Sequence, residues 1–248
     1  MQPNIALNRY SLAFFLCFLA LVIWGFWNTY YSNPLQIPDL LRQLHALCMT
    51  AWCALLIAQA YLVRTNRRAL HRAIGKASYV LVPINVILQI AVLQNRVSQR
   101  PQLFDHGVLL PRGLTQAALT LGAAVLFGLL YALAMSNRRT PPVHARYMIC
   151  TVLPILSPAT DRIIGQHVPA ITHWLPRAAD RPFAPFLAWV IGDSLLIALA
   201  IWDWKSGRRY GVFPVVLLLA IGYQAFTLTA YRVGAWRLFC AWFLAPQF

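Results

Sequence analysis

Apolar runs of about twenty residues alternate with short polar links along most of the chain. Seven runs, at about 10–31, 40–63, 73–93, 114–135, 146–164, 184–203 and 212–230, approach or exceed the ~20 residues that carry a helix across a ~30 Å hydrocarbon layer. Lipid offers no partner for backbone N–H and C=O groups, so each run must close its hydrogen bonds on itself as a helix, and strands are excluded from the spans. The first run continues to about Trp27 without a small-residue cleavage site and exceeds a signal-peptide core, so it is expected to be a retained span. The pattern predicts an all-α fold: one integral membrane domain over residues 1–248, a polytopic transmembrane helical bundle of about seven spans.

Prolines interrupt several of these spans. Pro83 lies in the third, Pro154 and Pro158 one turn apart in the fifth, and Pro214 near the start of the seventh. Each interior proline removes a helical hydrogen bond and predicts a kink. The segment 165–183, with Pro169, Pro176, Pro182 and Trp174, has no helical period and reads as a cap over the bundle. The last 18 residues place Trp236, Phe239, Cys240 and Phe243 on one helical face beside Arg232 and Arg237, the pattern of an in-plane interfacial helix too short to span. A weak echo relates Asn66-Arg67-Arg68 to Asn137-Arg138-Arg139 and Pro83 to Pro154 at an offset of 71, with His71 and His144 following each basic triplet; a parallel duplication and the shared need for basic loop ends explain it equally.

Composition agrees with the membrane class: 60% of residues are hydrophobic and 11% charged. The +15 formal charge would suggest nucleic acid for a soluble protein. Here the basic residues fall between apolar runs, so the expected partners are a bilayer with anionic headgroups and other membrane proteins, and no nucleic acid. Short basic links follow spans two, four and six: Arg64, Arg67, Arg68, Arg72 and Lys76; Arg138, Arg139 and Arg146; Lys205, Arg208 and Arg209. Their bias predicts a cytoplasmic N-terminus and an outer aromatic belt of Trp24, Trp27, Tyr30 and Tyr31. Cys17, Cys48, Cys53, Cys150 and Cys240 form neither a CxxC motif nor a disulfide framework.

Ionisable residues inside spans are the default site candidates. Asp193, near the middle of span six, must pair, protonate or meet water. By depth, His45, Arg162, Gln89 and Asn85 are the expected neighbours, with Asp161 beside Arg162. These residues define either a structural ion pair that fixes helix register or an outward-facing ligand pocket of Asp193, Asp161, Arg162, Gln89 and Asn85. At the opposite ends of the helices, His71-Arg72 and His144-Ala145-Arg146 open spans three and five. Two imidazoles there are placed to ligate a haem iron or a metal ion, with His45 as a third candidate and Arg72 and Arg146 meeting haem propionates; equally, such ends contact lipid phosphates. His106, His167 and His173 are expected in water-facing loops.

The chain carries no HExxH, phosphate-cradling glycine loop, GxSxG elbow or CxxCH site, so no reaction is assigned. The stretch from His45 through Met49, Trp52, Gln59 and Leu62 to His71-Arg72-Ala73-Ile74-Gly75-Lys76-Ala77-Ser78-Tyr79 and Pro83, with His144-Ala145-Arg146-Tyr147-Met148 and Asp161-Arg162, resembles a bacterial multi-span inner-membrane family defined by a domain of unknown function. The resemblance covers about half the chain. It implies histidine-bearing helices, residence in the inner membrane and a cofactor or respiratory-assembly role, and marks His45, His71, His144 and Arg162. Two functions are therefore expected: haem or metal binding of a b-cytochrome-like or assembly kind, and small-ligand binding or transport around Asp193. A scaffold that only contacts other membrane subunits is the third.

Overall fold

The computed structural model describes residues 5–34, 39–105, 108–179 and 181–244, and their architecture is helical. The helices are α1 (Ile5–Phe26), α2 (Leu40–Arg64), α3 (Arg68–Gly75), α4 (Ser78–Ser98), α5 (Pro111–Ser136), α6 (Pro141–Cys150), α7 (Leu153–His167), α8 (Pro185–Lys205), α9 (Val212–Thr229) and α10 (Gly234–Phe243). Among the described residues seven stretches are long and apolar enough to cross a membrane: Tyr10–Tyr31, Leu40–Arg64, Arg68–Ser98, Pro111–Ser136, Pro141–His167, Pro185–Lys205 and Val212–Arg232. The protein is a multi-pass helical membrane protein.

Two spans are assembled from a short helix and a longer one. α3 and α4 meet at Lys76–Ala77, and α6 and α7 meet at Thr151–Val152. The second junction has a direct cause. Pro154 has no N–H to give the Cys150 carbonyl, and the Ile155 N–H turns to Val152 O at 3.0 Å. Pro83, by contrast, sits within a continuous α4. Among the described residues strands occur only as two-residue pairs outside the spans, Phe104–Asp105 with Val108–Leu109 and Arg177–Ala178 with Arg181–Pro182. The segment expected to be a cap holds a 3-10 turn, Pro169–Trp174, and the second hairpin.

α5 is the central post, contributing to each of three buried clusters. Phe127 and Tyr131 join Phe15, Phe18, Trp52 and Leu56; Leu126 and Leu130 join Tyr147, Leu196, Phe213 and Val216; Leu114 and Ala117 join Leu93, Val97 and Cys240. Lipid tails are as apolar as leucine, so burying such residues gains little from the solvent side, and close packing and hydrogen bonds must hold the helices together. Hence large apolar residues such as Val125 and Leu218 face outward without penalty. α10 covers the third cluster with a ladder of aromatic rings, Trp236 on Phe239 and Phe239 on Phe243, and the Trp236 indole donates to Leu114 O at 3.1 Å. Burial pushes the Cys240 thiol on this helix up to about 12, so it packs there as a neutral, apolar group.

The tightest helix approach involves Gly25. A Cβ there would lie 2.5 Å from the Ala159 carbonyl oxygen and 3.1 Å from its carbon, both backbone atoms that cannot swing aside. Gly25→Val should therefore separate α1 from α7 and cost about 1–3 kcal/mol, seen as a lower thermal midpoint in mild detergent. Gly222→Ala, where the added carbon meets nothing within 4 Å, should leave the midpoint unchanged or higher. Equal midpoints for Gly25→Val and wild type would contradict the packing.

Candidate functional site

The residues singled out in the sequence fall into three places, defined by position along the helices. Those at the C-terminal end of α2 form the His71 end of the bundle. Those at its N-terminal end form the His45 end. His45 and Gln59 lie on the same unbroken α2, fourteen positions apart, so at 1.5 Å per residue His45 is about 21 Å from Gln59. Gln59 in turn touches His71. His45 therefore does not join His71 and His144 in one site.

At the His71 end, α5, α6 and α2 orient the two histidines. His144 Nδ1 lies 2.8 Å from Ala134 O, so Nδ1 carries the proton and Nε2 keeps its lone pair. The Gln59 amide accepts from Gly75 N–H at 3.1 Å and donates to His71 O at 3.1 Å and to His71 Nδ1, leaving the His71 proton on Nε2. The two rings lie within electrostatic reach of each other but hold opposite tautomers. Two-sided ligation of one haem iron needs a free lone pair from each ring, and the His71 Nδ1 lone pair is engaged by Gln59. Among the described residues no group of three or more His, Cys, Asp or Glu converges as a metal shell. Beside them, Ser78 Oγ donates to or accepts from Tyr131 OH at 2.8 Å, tying α4 to α5.

Arg146 departs from its expected role. It does not turn toward a propionate or a headgroup: it is fully buried and grips Asp203 of α8, Nε to Oδ2 at 2.6 Å and Nη2 to Oδ1 at 2.5 Å. A third donor reaches Pro142 O at 2.9 Å. Gly207 and Gly211, both at positive φ, shape the turn after α8 and bring Tyr210 over the guanidinium, 4.4 Å from the ring centroid. The physical reason is rotation about the helix axis. Two residues after His144, Arg146 faces α8 and α9 rather than the interface. Arg72 is exposed on α3.

Asp193 lies at mid-depth, twelve residues from the end of α8, and Gln224 lies twelve residues into α9. Both are thus about 18 Å from the His71 end, and Gln224 Nε2 donates to both carboxylate oxygens at 3.0 Å. Gln224 therefore takes the place expected for His45, Arg162, Gln89 or Asn85. Those two amides serve elsewhere: Gln89 donates to Thr120 O at 3.0 Å and Asn85 to Cys48 O at 3.3 Å. A cavity of about 30 Å³ opens beside Asp193, lined by Ser157, Pro154, Trp189, Tyr223 and Gln224 among others; that is room for one or two waters. Trp189 is 7% exposed, and its buried Nε1–H has no hydrogen-bond partner among the described residues. Its ring is held against Phe183 and Tyr223.

The third place is the His45 end. His45 lies within electrostatic reach of Arg162, and Arg162 of Asp161 and Arg96. Arg162 donates to Pro158 O at 2.9 Å and lies over Phe26, 4.2 Å from its centroid. His167 stacks near Trp24 and His173 is exposed; His106 lies outside the described residues.

Three contributors escaped the sequence analysis. Gln224 was legible as a lone amide within span seven. Asp203 sits in the last turn of α8 and resembles an interfacial charge. Trp189 carries no sequence signal beyond its polar atom, and Gln59 was marked only as part of the stretch that carries the family resemblance. No family model, curated protein or solved structure matches the chain.

The Arg146–Asp203 pair generates a test. Removing one partner strands a buried charge, so Arg146→Ala should cost about 3–5 kcal/mol, whereas the paired exchange Arg146→Met with Asp203→Leu should restore most of the thermal midpoint. A mild effect of Arg146→Ala would show that the guanidinium finds water, and the buried pair described here would be wrong.

Proposed function

We propose that this protein binds a proton or small cation at Asp193 inside the bundle, as the coupling site of a membrane carrier. The observation that carries the reading is a mid-depth carboxylate, hydrogen-bonded across α8 and α9, beside a water-sized cavity that Ser157 and Trp189 help to line. A water held there has Asp193 and Ser157 as polar neighbours in the lining. Gln224 holds the carboxylate in place. The proline break at Thr151–Val152 puts a discontinuous helix beside the cavity, an arrangement that exposes ion sites in carriers.

This reading is preferred to haem or metal binding at His71 and His144 because the Gln59 amide already engages the His71 Nδ1 lone pair. A Soret band in the purified protein that disappears on His144→Ala would reverse the preference. The proposed setting is a bacterial inner membrane with a cytoplasmic N-terminus. Support comes from the basic residues Arg64, Arg67, Arg68, Arg138, Arg139, Arg208 and Arg209, all of which belong to links at the His71 end.

Proteoliposomes containing a trapped pH dye test the proposal, with an imposed proton or sodium gradient as the probe. Wild-type protein should dissipate one of these gradients, and Asp193→Asn should slow it about tenfold or more, the loss of one charged hydrogen-bonding group. Gln224→Leu should slow it less. Identical rates for wild type, Asp193→Asn and empty vesicles would defeat the proposal.

A further inference from the structure

A second polar cluster, at the His45 end, stands apart from Asp193 and its cavity. Its framework is Asp39, which caps α2 by accepting from Leu41 N–H at 3.0 Å, holds Arg42 Nε at 2.9 Å and accepts from Asn95 Nδ2 at 2.7 Å. Arg42 also reaches Gln99 at 3.4 Å. These bonds fasten the start of α2 to the end of α4 and use up the Asp39 carboxylate.

Arg96, beside Asn95 in α4, lies at the same end as Arg162 in α7 and within its electrostatic reach. Arg96 is half-buried, and among the described residues neither a hydrogen bond nor an ion pair engages its guanidinium. The charges around it are Arg100, Arg162 and Arg42, opposed by Asp161. Asp161 makes no ion pair within 4.0 Å among the described residues. Arg162 spends one donor on Pro158 O and one face on Phe26, which leaves the rest of its fork unused. Within reach of Arg162, the buried His45 Nδ1 has no hydrogen-bond partner among the described residues. Cations gathered at one end of the bundle repel one another, and both guanidiniums keep donors that no acceptor among the described residues takes. One multidentate anion corrects both faults, and the planar fork of arginine matches phosphate oxygens.

We propose that Arg96 and Arg162, with His45 within reach of Arg162, form a binding site for a phosphate group at the His45 end of the bundle. The group is supplied either by a phospholipid headgroup or by a free phosphate anion. Asp161 sets the charge balance and disfavours anions that cannot engage both arginines. Arg100, exposed at the end of α4, contributes only to the surrounding field.

Two measurements on the full-length protein distinguish the sources. Native mass spectrometry from mild detergent, with phosphatidylglycerol added, reads the lipid. Thermal unfolding in phosphatidylcholine nanodiscs, with and without millimolar inorganic phosphate, reads the free anion. A lipid source predicts retained phosphatidylglycerol that falls about tenfold in Arg96→Gln and in Arg162→Gln but not in Arg100→Gln. A free-anion source predicts a phosphate-induced rise in midpoint that both variants lose. In the absence of phosphate, Arg96→Gln should unfold at the same temperature or higher, because a repulsion has been removed; this separates lost binding from lost folding. Neither retained lipid nor a phosphate-induced rise, or equal effects from Arg100→Gln, would overturn the proposal.

Discussion

A polar group carried into hydrocarbon must find its partner within the protein, and the arrangement of this bundle follows from that constraint. Arg146 is the strongest case. Its guanidinium, 0% exposed, meets a carboxylate, a carbonyl and an aromatic face at once. To supply them, α6 must present one face to α8, and the turn from Ser206 to Gly211 must fold back so that Tyr210 closes the other side. The pair therefore fixes the rotation of α6 against α8 and the fold of the turn that follows α8. Such a pair contributes specificity more than net stability, since well-packed apolar residues of similar volume would hold the helices equally well.

The remaining polar groups divide by how completely they are satisfied. Ser78 with Tyr131, Asn85 with the Cys48 carbonyl and Gln89 with the Thr120 carbonyl stitch neighbouring helices. At Asp193 satisfaction stops short: Gln224 supplies one amide, and the cavity beside it borders an indole whose N–H has no bond among the described residues. Arg96 and Arg162 are likewise short of acceptors at the His45 end. Buried polar atoms without partners among the described residues also occur at Trp52, Asn85 and Thr115; what sets these two places apart is that they gather ionisable groups, where a charged ligand has most to gain. The histidines at the His71 end are more fully engaged, each with one ring nitrogen already committed.

Much of the fold was legible in the chain because a span leaves a length signature. The runs ending near Tyr31, Arg64 and Lys205 are bounded by aromatic or basic residues suited to the interface, and the helices stop there. The break before Pro154 was legible as a proline. The candidate site was legible only in half. Asp193 announces itself as a charge in an apolar run, but its depth alone does not say which neighbour it faces; depth matched it to His45 and Arg162, while the rotation of α8 turns it to α9. Gln224 is neutral and barely disturbs the hydropathy of span seven. Arg146 and Asp203, each near a helix end, carry the same local pattern as headgroup-binding residues, and only their spatial meeting shows that they are buried.

The most direct test of the central claim, that ionisable groups in these spans find partners inside the bundle, is cross-linking of Asp193→Cys with Gln224→Cys in a background lacking the five native cysteines. In native membranes treated with a mild oxidant, the double variant should form an intramolecular disulfide that a Trp204→Cys and Gln224→Cys control does not. Failure of the 193–224 pair to cross-link, with both cysteines instead labelled by a lipid-soluble maleimide, would place Asp193 against the acyl chains and contradict the account.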